Sequence, residues 1–396
     1  MKFVLAAYGS RGDVEPFAAV GRELLRRGHD VCIAVPPNMI GFVESAGLAA
    51  VAFGSDPPWQ GGGDFVRADI PNPIVRTMTE VTQQITKALA EWGATLLTLA
   101  DGADLLLTGR GERGLAANVA EYYDIPLATL HFFPDAQSPL RGVIGGITKD
   151  AEDAQRRALG LPEATGAAHE PLEIQAYDGL CFPELAAEWA EQGGHRPFVG
   201  ALTLELPTDA DDGALSWIAE GTPPIYFGFG SNMRLPSPPE TVAVISAACA
   251  RLGERALICS GASDFTDVPH FDNVKVVDAV NHAAVFPACR VVVHHGGAGT
   301  TAAGLRAGIP SLVLSFSVDD QPIWASAVEQ LKVGAERAFS ASTLDSLIAD
   351  LRSILTPEYL TRAREVGDQM TTAVESASSA ADLLEDAVRQ GASDDR

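Results

Sequence analysis

The sequence predicts an α/β protein of two doubly wound domains, each a parallel sheet with helices on both faces. Three observations carry this. An apolar run at 3–7 breaks into a turn-rich stretch and then an amphipathic helix, and an alternation of strands and helices follows. The same strand, glycine-rich turn and helix restart at Ile225. The chain has 396 residues, too many for one ordinary core, and the polar stretch Glu205–Gly213 reads as a linker between the two patterns.

Taken in order, FVLAA at 3–7 fits a strand buried on both faces. Phe17, Val20, Leu24 and Leu25 share a helical face, and Gly28 suits a left-handed helix end. Asp30 to Val35 is the next strand. Further alternation predicts helix 40–46, strand 49–53, helix 76–98, strand 103–107, helix 113–122 and strand 126–130. In the second half the pattern gives a strand from Ile225, helix 239–252, strands 255–259, 274–277 and 290–293, a helix to Arg306 and strand 311–315. Residues 357–392 read as helical, with a frayed tail GASDDR. Two stretches, 55–75 and 132–170, read as long loops, a length that is usually functional. Asp211 and Asp212 read as a solvated acidic pair in the linker.

Lys and Arg total 28 against 52 Asp and Glu, a net charge of −24 spread over both halves. Such a field repels nucleic acid and anionic lipid, while still allowing a local pocket for a small anion. No apolar run approaches the roughly 18–20 residues of a membrane span, and the opening apolar stretch is shorter than a secretion signal. The five cysteines (Cys32, Cys181, Cys249, Cys259, Cys289) form no C-x-x-C pair. Free buried thiols and a cytoplasmic location are expected. Neither Asp211-Asp212 nor Asp319-Asp320 has a third ligand for a metal, and no metal or resident cofactor is expected.

The most informative segment is His294-His295-Gly296-Gly297-Ala298-Gly299-Thr300-Thr301, between a strand and a helix. Glycines admit close backbone approach, and a helix N-terminus offers free N–H groups and a favourable dipole, so this turn suits an anion. Thr300 and Thr301 can add hydroxyl donors. A histidine adds a donor and, if protonated, a counter-charge. The spacing is not that of a dinucleotide fingerprint. Asp319, Asp320 and Gln321 follow the end of another strand, the edge where open α/β sheets bind ligands. A carboxylate beside an amide there suits the hydroxyls of a polyol, or simply a capped helix start.

The stretch VNHAAVFPACRVVVHHGGAGTTAAGLRAGIPSLVL with DDQPIWA, the opening GSRGDVEP and the central GFGS together resemble family 1 glycosyltransferases of the GT-B fold. Similarity is greatest to actinobacterial enzymes that glycosylate antibiotics and glycopeptidolipids. The resemblance implies two Rossmann-like domains facing across a cleft: an acceptor domain at 1–204, a nucleotide-sugar domain at 214–375, and a C-terminal helix at 376–396 packing back on the first domain. It implies an inverting hexosyltransferase using a TDP- or UDP-hexose as co-substrate, and a lipophilic hydroxyl acceptor. Membrane association would be at most peripheral, and oligomeric state is not readable.

Carried over residue by residue, His295, Gly297, Ala298, Gly299 and Thr300 line the donor phosphates, joined by Ser231 and Ser10. The backbone of Val280 reads the base, and Asp320 and Gln321 bind the donor sugar. Asp13 is the general base, or caps a helix starting near Glu15–Pro16, or both. His294 is structural. Trp59, Phe65, His131 and Phe132 are acceptor-side candidates, although Phe132 and Phe133 also suit a core. One departure concerns the base: relatives often carry a Trp where this chain has Ala262-Ser263. Two other readings compete: a nucleotide-sugar epimerase of the same fold, and a non-catalytic nucleotide-sugar-binding helper. The presence of both Asp13 and His295 counts against the helper.

Overall fold

The computed structural model describes residues 1–56, 78–134, 139–163, 171–191, 196–231, 233–316 and 320–394. The chain forms two compact units. One comprises Met1–Ala176, Ala187–Leu204 and Val374–Arg396; the other comprises Tyr177–Ala186 and Glu205–Ala373.

In the first unit the order is β1 (Lys2–Ala6), α1 (Arg11–Arg26), β2 (Asp30–Val35), α2 (Ile40–Ser45), β3 (Ala49–Ala52), α3 (Met78–Leu99), β4 (Leu105–Thr108), α4 (Arg113–Tyr123), β5 (Leu127–His131), α5 (Pro139–Ala158) and β6 (Leu172–Gln175). Helix α6 (Pro183–Glu191) follows, passing between the two groupings. The sheet is parallel throughout, in the order β3-β2-β1-β4-β5-β6. Val4, Ala6 and Leu106 pack with Leu96, Leu115 and Val119 in one layer of its core.

The second unit runs α7 (Asp211–Ala219), β7 (Ile225–Gly228), α8 (Pro238–Leu252), β8 (Ala256–Cys259), β9 (Val274–Val277), α9 (His282–Val285), β10 (Val291–His294), α10 (Ala298–Arg306), β11 (Ser311–Ser315), α11 (Gln321–Gln330), β12 (Gly334–Ala338), α12 (Leu344–Ile354) and α13 (Pro357–Gly367). Its sheet is also parallel, ordered β12-β11-β10-β7-β8-β9. Alternate residues of one strand enter different cores: Ile225 and Phe227 join Val293 and Leu312, while Tyr226 joins Leu257 and Val292. Burial on both faces explains the uninterrupted apolar runs.

The two parallel sheets are those the sequence predicts, and the cysteines are free thiols. Several local expectations need correction. Helix α1 begins at Arg11, not near Pro16. Proline favours a first helical position, which misplaces the start; here it is the sixth residue of the helix and gives up one backbone bond. The expected loop at 132–170 contains α5, whose second half is Ala-, Asp- and Arg-rich and shows no stripe of large apolar residues. The residues at 357–392 are two helices, α13 and α14 (Ala373–Asp394), and α14 continues in helix through Asp394 of the tail expected to fray.

Asp211 is not a solvated linker residue. It is buried at the start of α7, where its carboxylate accepts from Thr208 N and Oγ1 and from Asn281 N, each at 2.8 Å. These bonds hold its pKa below the usual value against the opposing effect of burial. Within the first unit, α14 is tied to the end of α1 and start of β2. Arg27 Nη1 bonds Asp382 at 2.6 Å and Glu385 at 3.1 Å, and His29 Nε2 meets Glu385 at 2.9 Å.

Candidate active site

Each sheet places its first strand beside its fourth: β1 beside β4, and β7 beside β10. The connections leave such a pair in opposite directions, opening a crevice at the carboxyl ends, the usual ligand position in open α/β sheets.

In the first unit, the Gly109 N–H donates to the Ala6 carbonyl at 3.3 Å, which holds the turn after β4 beside the turn after β1. A cavity of about 150 Å3 lies there, its wall including Asp13 and Phe17 of α1, Glu112 of the turn after β4, and His131, Phe132 and Phe133 at the end of β5. Ser10 caps α1, and Asp13, the third helical residue, reaches back to it. Asp13 Oδ2 accepts from Ser10 N at 2.6 Å and from Ser10 Oγ at 2.9 Å. Asp13 therefore takes part in a capping box rather than being the cap itself. Burial nevertheless pushes its pKa up, and the two Ser10 bonds only partly oppose this.

Glu112 was not singled out in the sequence. It is 4% exposed, and its pKa is pushed up to about 8, first by burial and then by the negative charge of Asp13. His131 is held neutral, with a pKa down to about 4. Burial is the main cause, assisted by Arg110, Arg113 and Arg196 and opposed by Glu173. Arg113 and Arg196 both pair with Glu173, at 2.6 and 2.7 Å. His131 Nε2 is buried with no hydrogen-bond partner among the described residues. Phe132 meets Phe17 edge-on at 6.1 Å. The structure thus brings Asp13, His131 and Phe132 to one cavity. Trp59 and Phe65 lie outside the described residues.

In the second unit, Gly297 caps α10, so Ala298, Gly299 and Thr300 form its first turn. The His295 ring lies between Gly230 and Gly297. A Cβ at Gly297 would come within 2.5 Å of His295 Nε2, and one at Gly230 within 2.9 Å of Cε1. The ring donates to the Gly228 backbone, while Nδ1 is buried without a partner among the described residues. Desolvation holds the His295 pKa near 4 and that of His294 near 3. Both are neutral at pH 7, so neither brings the resting site a counter-charge. Positive potential comes instead from the backbone N–H groups and the helix dipole. His294 is fully buried, and its Nδ1 accepts from Gly296 N at 3.1 Å. Thr301 does not contribute a free hydroxyl, since its Oγ1 donates to the Gly297 carbonyl at 2.9 Å.

The other residues expected on the donor side fall on the same edge of this unit. Ser231 is exposed just beyond β7. Gln321 is buried against Gly296, whose Cβ would lie 3.2 Å from that of Gln321. Its Oε1 accepts from Phe316 N at 2.7 Å, which fixes the direction of the amide. Asp320 caps α11, while Asp319 lies outside the described residues. The Val280 side chain is buried in the core. Thr208 Oγ1 lies 3.2 Å from the Ala279 carbonyl and Asp211 holds Asn281 N, so Val280 is clamped from both sides. At the position without Trp, Ser263 Oγ accepts from Leu235 N at 2.9 Å.

Comparison with known proteins gives the same picture. Residues 3–101 match the model of the glycosyltransferase family 28 N-terminal domain, and residues 244–385 match the erythromycin biosynthesis protein CIII-like C-terminal domain. The chain is 58% identical to an uncharacterized glycosyltransferase of Mycobacterium tuberculosis (strain ATCC 25618 / H37Rv), over 98% of this chain and 100% of that one. It is 29% identical to vancomycin aglycone glucosyltransferase of Amycolatopsis orientalis, over 98% of each. Its fold matches the calicheamicin glycosyltransferase CalG4 with a TM-score of 0.72 at 18% identity, covering 98% of each chain. It also matches glycosyltransferase VinC in complex with dTDP, with a TM-score of 0.70 at 18% identity, covering 98% of this chain and 100% of that one. With two parallel six-stranded sheets and these relatives, the chain belongs to the GT-B glycosyltransferases related to the antibiotic glycosyltransferases.

Proposed function

We propose that this enzyme is an inverting hexosyltransferase. Its donor is a TDP- or UDP-hexose, with 6-deoxy hexoses included. Its acceptor is a hydroxyl of a lipophilic molecule such as a glycopeptidolipid, a glycopeptide or a polyketide. One observation carries the reading. Equivalent crevices of the two sheets hold complementary chemistry: a basic carboxylate at Asp13, and an anion-ready helix start at Ala298–Thr300.

The second unit holds the donor. The N-terminus of α10 takes the diphosphate, the Val280 backbone reads the base, and Asp320 and Gln321 bind the sugar. Ser231 adds a phosphate contact, while Ser10 is engaged with Asp13. The dTDP bound by VinC supports a thymidine donor. The first unit holds the acceptor, with His131 and Phe132 on the cavity wall beside Asp13.

In the reaction, the acceptor oxygen forms a bond to the anomeric carbon while its proton passes to the Asp13 carboxylate. The bond from the anomeric carbon to the diphosphate oxygen breaks, and its electron pair leaves with the nucleoside diphosphate. A positioned base of this kind contributes roughly 10²–10⁴-fold. The α10 N-terminus stabilises the charge gained by the leaving group, by about 0.3–2 kcal/mol from the dipole. The raised pKa of Asp13 suits it to accept a proton, provided it is ionised when the acceptor arrives.

Calorimetric titration with TDP and UDP tests the donor assignment without knowledge of the acceptor. The expected result is binding of at least one nucleotide, weakened at least about tenfold, or about 1.4 kcal/mol, in His295→Ala. Failure of both nucleotides to bind at millimolar concentration would overturn the reading.

A further inference from the structure

We propose that Glu112 is a carboxylic acid, protonated at neutral pH, and that it shares the cavity with Asp13 so that the pair carries a single negative charge. The proposal rests on the assignment of Asp13 as base and extends it to a second group.

The geometry is that of two carboxyl groups on adjoining turns. Both line the cavity of about 150 Å3 at the β1/β4 crevice. Asp13 Oδ2 is held by Ser10, and a Cβ at Gly9 would lie 2.2 Å from it, so the carboxylate rests directly on the backbone of its own turn. Glu112 bonds across the crevice: its carboxyl accepts from the Tyr8 backbone N–H. A Cβ at Gly109 would come within 2.7 Å of Glu112 Oε2, so this group too is packed against backbone.

Of the other ionisable groups on the wall, Arg110 is a cation; it acts on His131, and the causes that raise the Glu112 pKa are burial and Asp13. His131 is neutral, Tyr8 is raised above its ordinary value by burial, and Arg110 stands on the same turn as Glu112. Beyond His131, Arg113 and Arg196 are each paired with Glu173. The leading charge effect on Glu112 is that of Asp13, and it is repulsive. Like charges that share a site oppose one another's ionisation, and one of the two pKa values rises. Asp13 keeps two Ser10 donors that favour its carboxylate, so the proton resides on Glu112.

This arrangement has a chemical consequence. A neutral Glu112 leaves the Asp13 carboxylate more basic than a cation in its place would. Asp13 can then take the acceptor proton while Glu112 retains its own throughout. The cavity also presents one acceptor-only oxygen pair and one O–H donor. That complements an acceptor in which a second oxygen lies near the reacting hydroxyl.

Difference infrared spectroscopy of the full-length protein against Glu112→Gln tests this, read at the carbonyl stretch of protonated carboxyl groups. The expected result is an acid band at pH 7 that is missing from the variant and fades as pH rises through about 8. In Asp13→Asn the repulsive charge is gone, so the band should fade at a pH lower by about one unit or more. Titration of Asp13→Asn alone decides the coupling if Glu112→Gln fails to fold. No Glu112 band at pH 7, or an unmoved midpoint in Asp13→Asn, would overturn the proposal. The measurement needs neither donor nor acceptor. A failed base assignment would appear separately, as turnover surviving in Asp13→Asn.

Discussion

At the carboxyl edge of the first sheet, the turns after β1 and β4 bring Asp13 and Glu112 to one cavity; the corresponding turns of the second sheet, after β7 and β10, carry glycines and two neutral histidines. The strand orders are equivalent, because each sheet sets its own first strand beside its fourth. Topology therefore supplies a crevice twice, and side chains decide what each crevice does. Burial acts in opposite directions on the two sets. It pushes carboxyl groups up, towards accepting and keeping protons, and pushes histidines down, towards neutrality. Under the proposed reading the second crevice would hold its anion through backbone N–H groups rather than through a formal cation.

The largest effect should come from the first crevice. Asp13→Asn should lower turnover by roughly 10²–10⁴-fold while changing TDP affinity less than about twofold. Steady-state kinetics with a TDP-sugar, run beside calorimetry, checks both halves. A large loss of nucleotide affinity would break the division of labour between the crevices.

Next in size is Gly297→Val. Its Cβ would sit 2.5 Å from His295 Nε2, displacing the ring or the start of α10. Nucleotide affinity should fall at least about tenfold, or about 1.4 kcal/mol, in a protein whose circular dichroism is unchanged. Wild-type affinity in this variant would mean that the His295 sandwich is irrelevant to the anion site.

Asp211→Ala should cost about 1–3 kcal/mol of stability, because Thr208 and Asn281 lose a buried acceptor. A thermal scan should show a midpoint lower by several degrees. Nucleotide affinity should also drop, since the Val280 backbone loses one of its clamps.

The last effect is one of pH. The pKa of Glu112 is raised in the folded state to about 8 from an ordinary 4.5. Its contribution to stability is therefore fully present below about 4.5 and is lost as pH rises through about 8. Glu112→Gln has no such loss. The thermal midpoint of the wild type should fall relative to the variant by a few degrees between pH 5 and pH 8. A constant gap across that range would mean that Glu112 titrates normally.

These contrasts show which features could be read from the sequence. The β10–α10 turn was legible because two histidines, three glycines and two threonines occupy eight consecutive residues after an apolar strand. The parallel sheets were legible because strands buried on both faces are continuous apolar runs. Glu112 was not legible: a lone glutamate between glycine and arginine carries no pattern, and its significance comes from the Tyr8 backbone across the crevice. Asp211 looked like linker because one of its partners, Asn281, lies 70 residues away. Helix α5 was missed because its second half has alanine in place of large apolar residues. Local chemistry is visible in one dimension when its parts are contiguous, and hidden when folding assembles them.

The central claim is that nucleotide goes to the second crevice and not to the first. Hydrogen exchange with and without saturating TDP tests it most directly. The account predicts slowed exchange in peptides spanning 228–231 and 295–301, with peptides at 7–13 and 109–112 unchanged. Protection confined to 7–13 and 109–112 would contradict it.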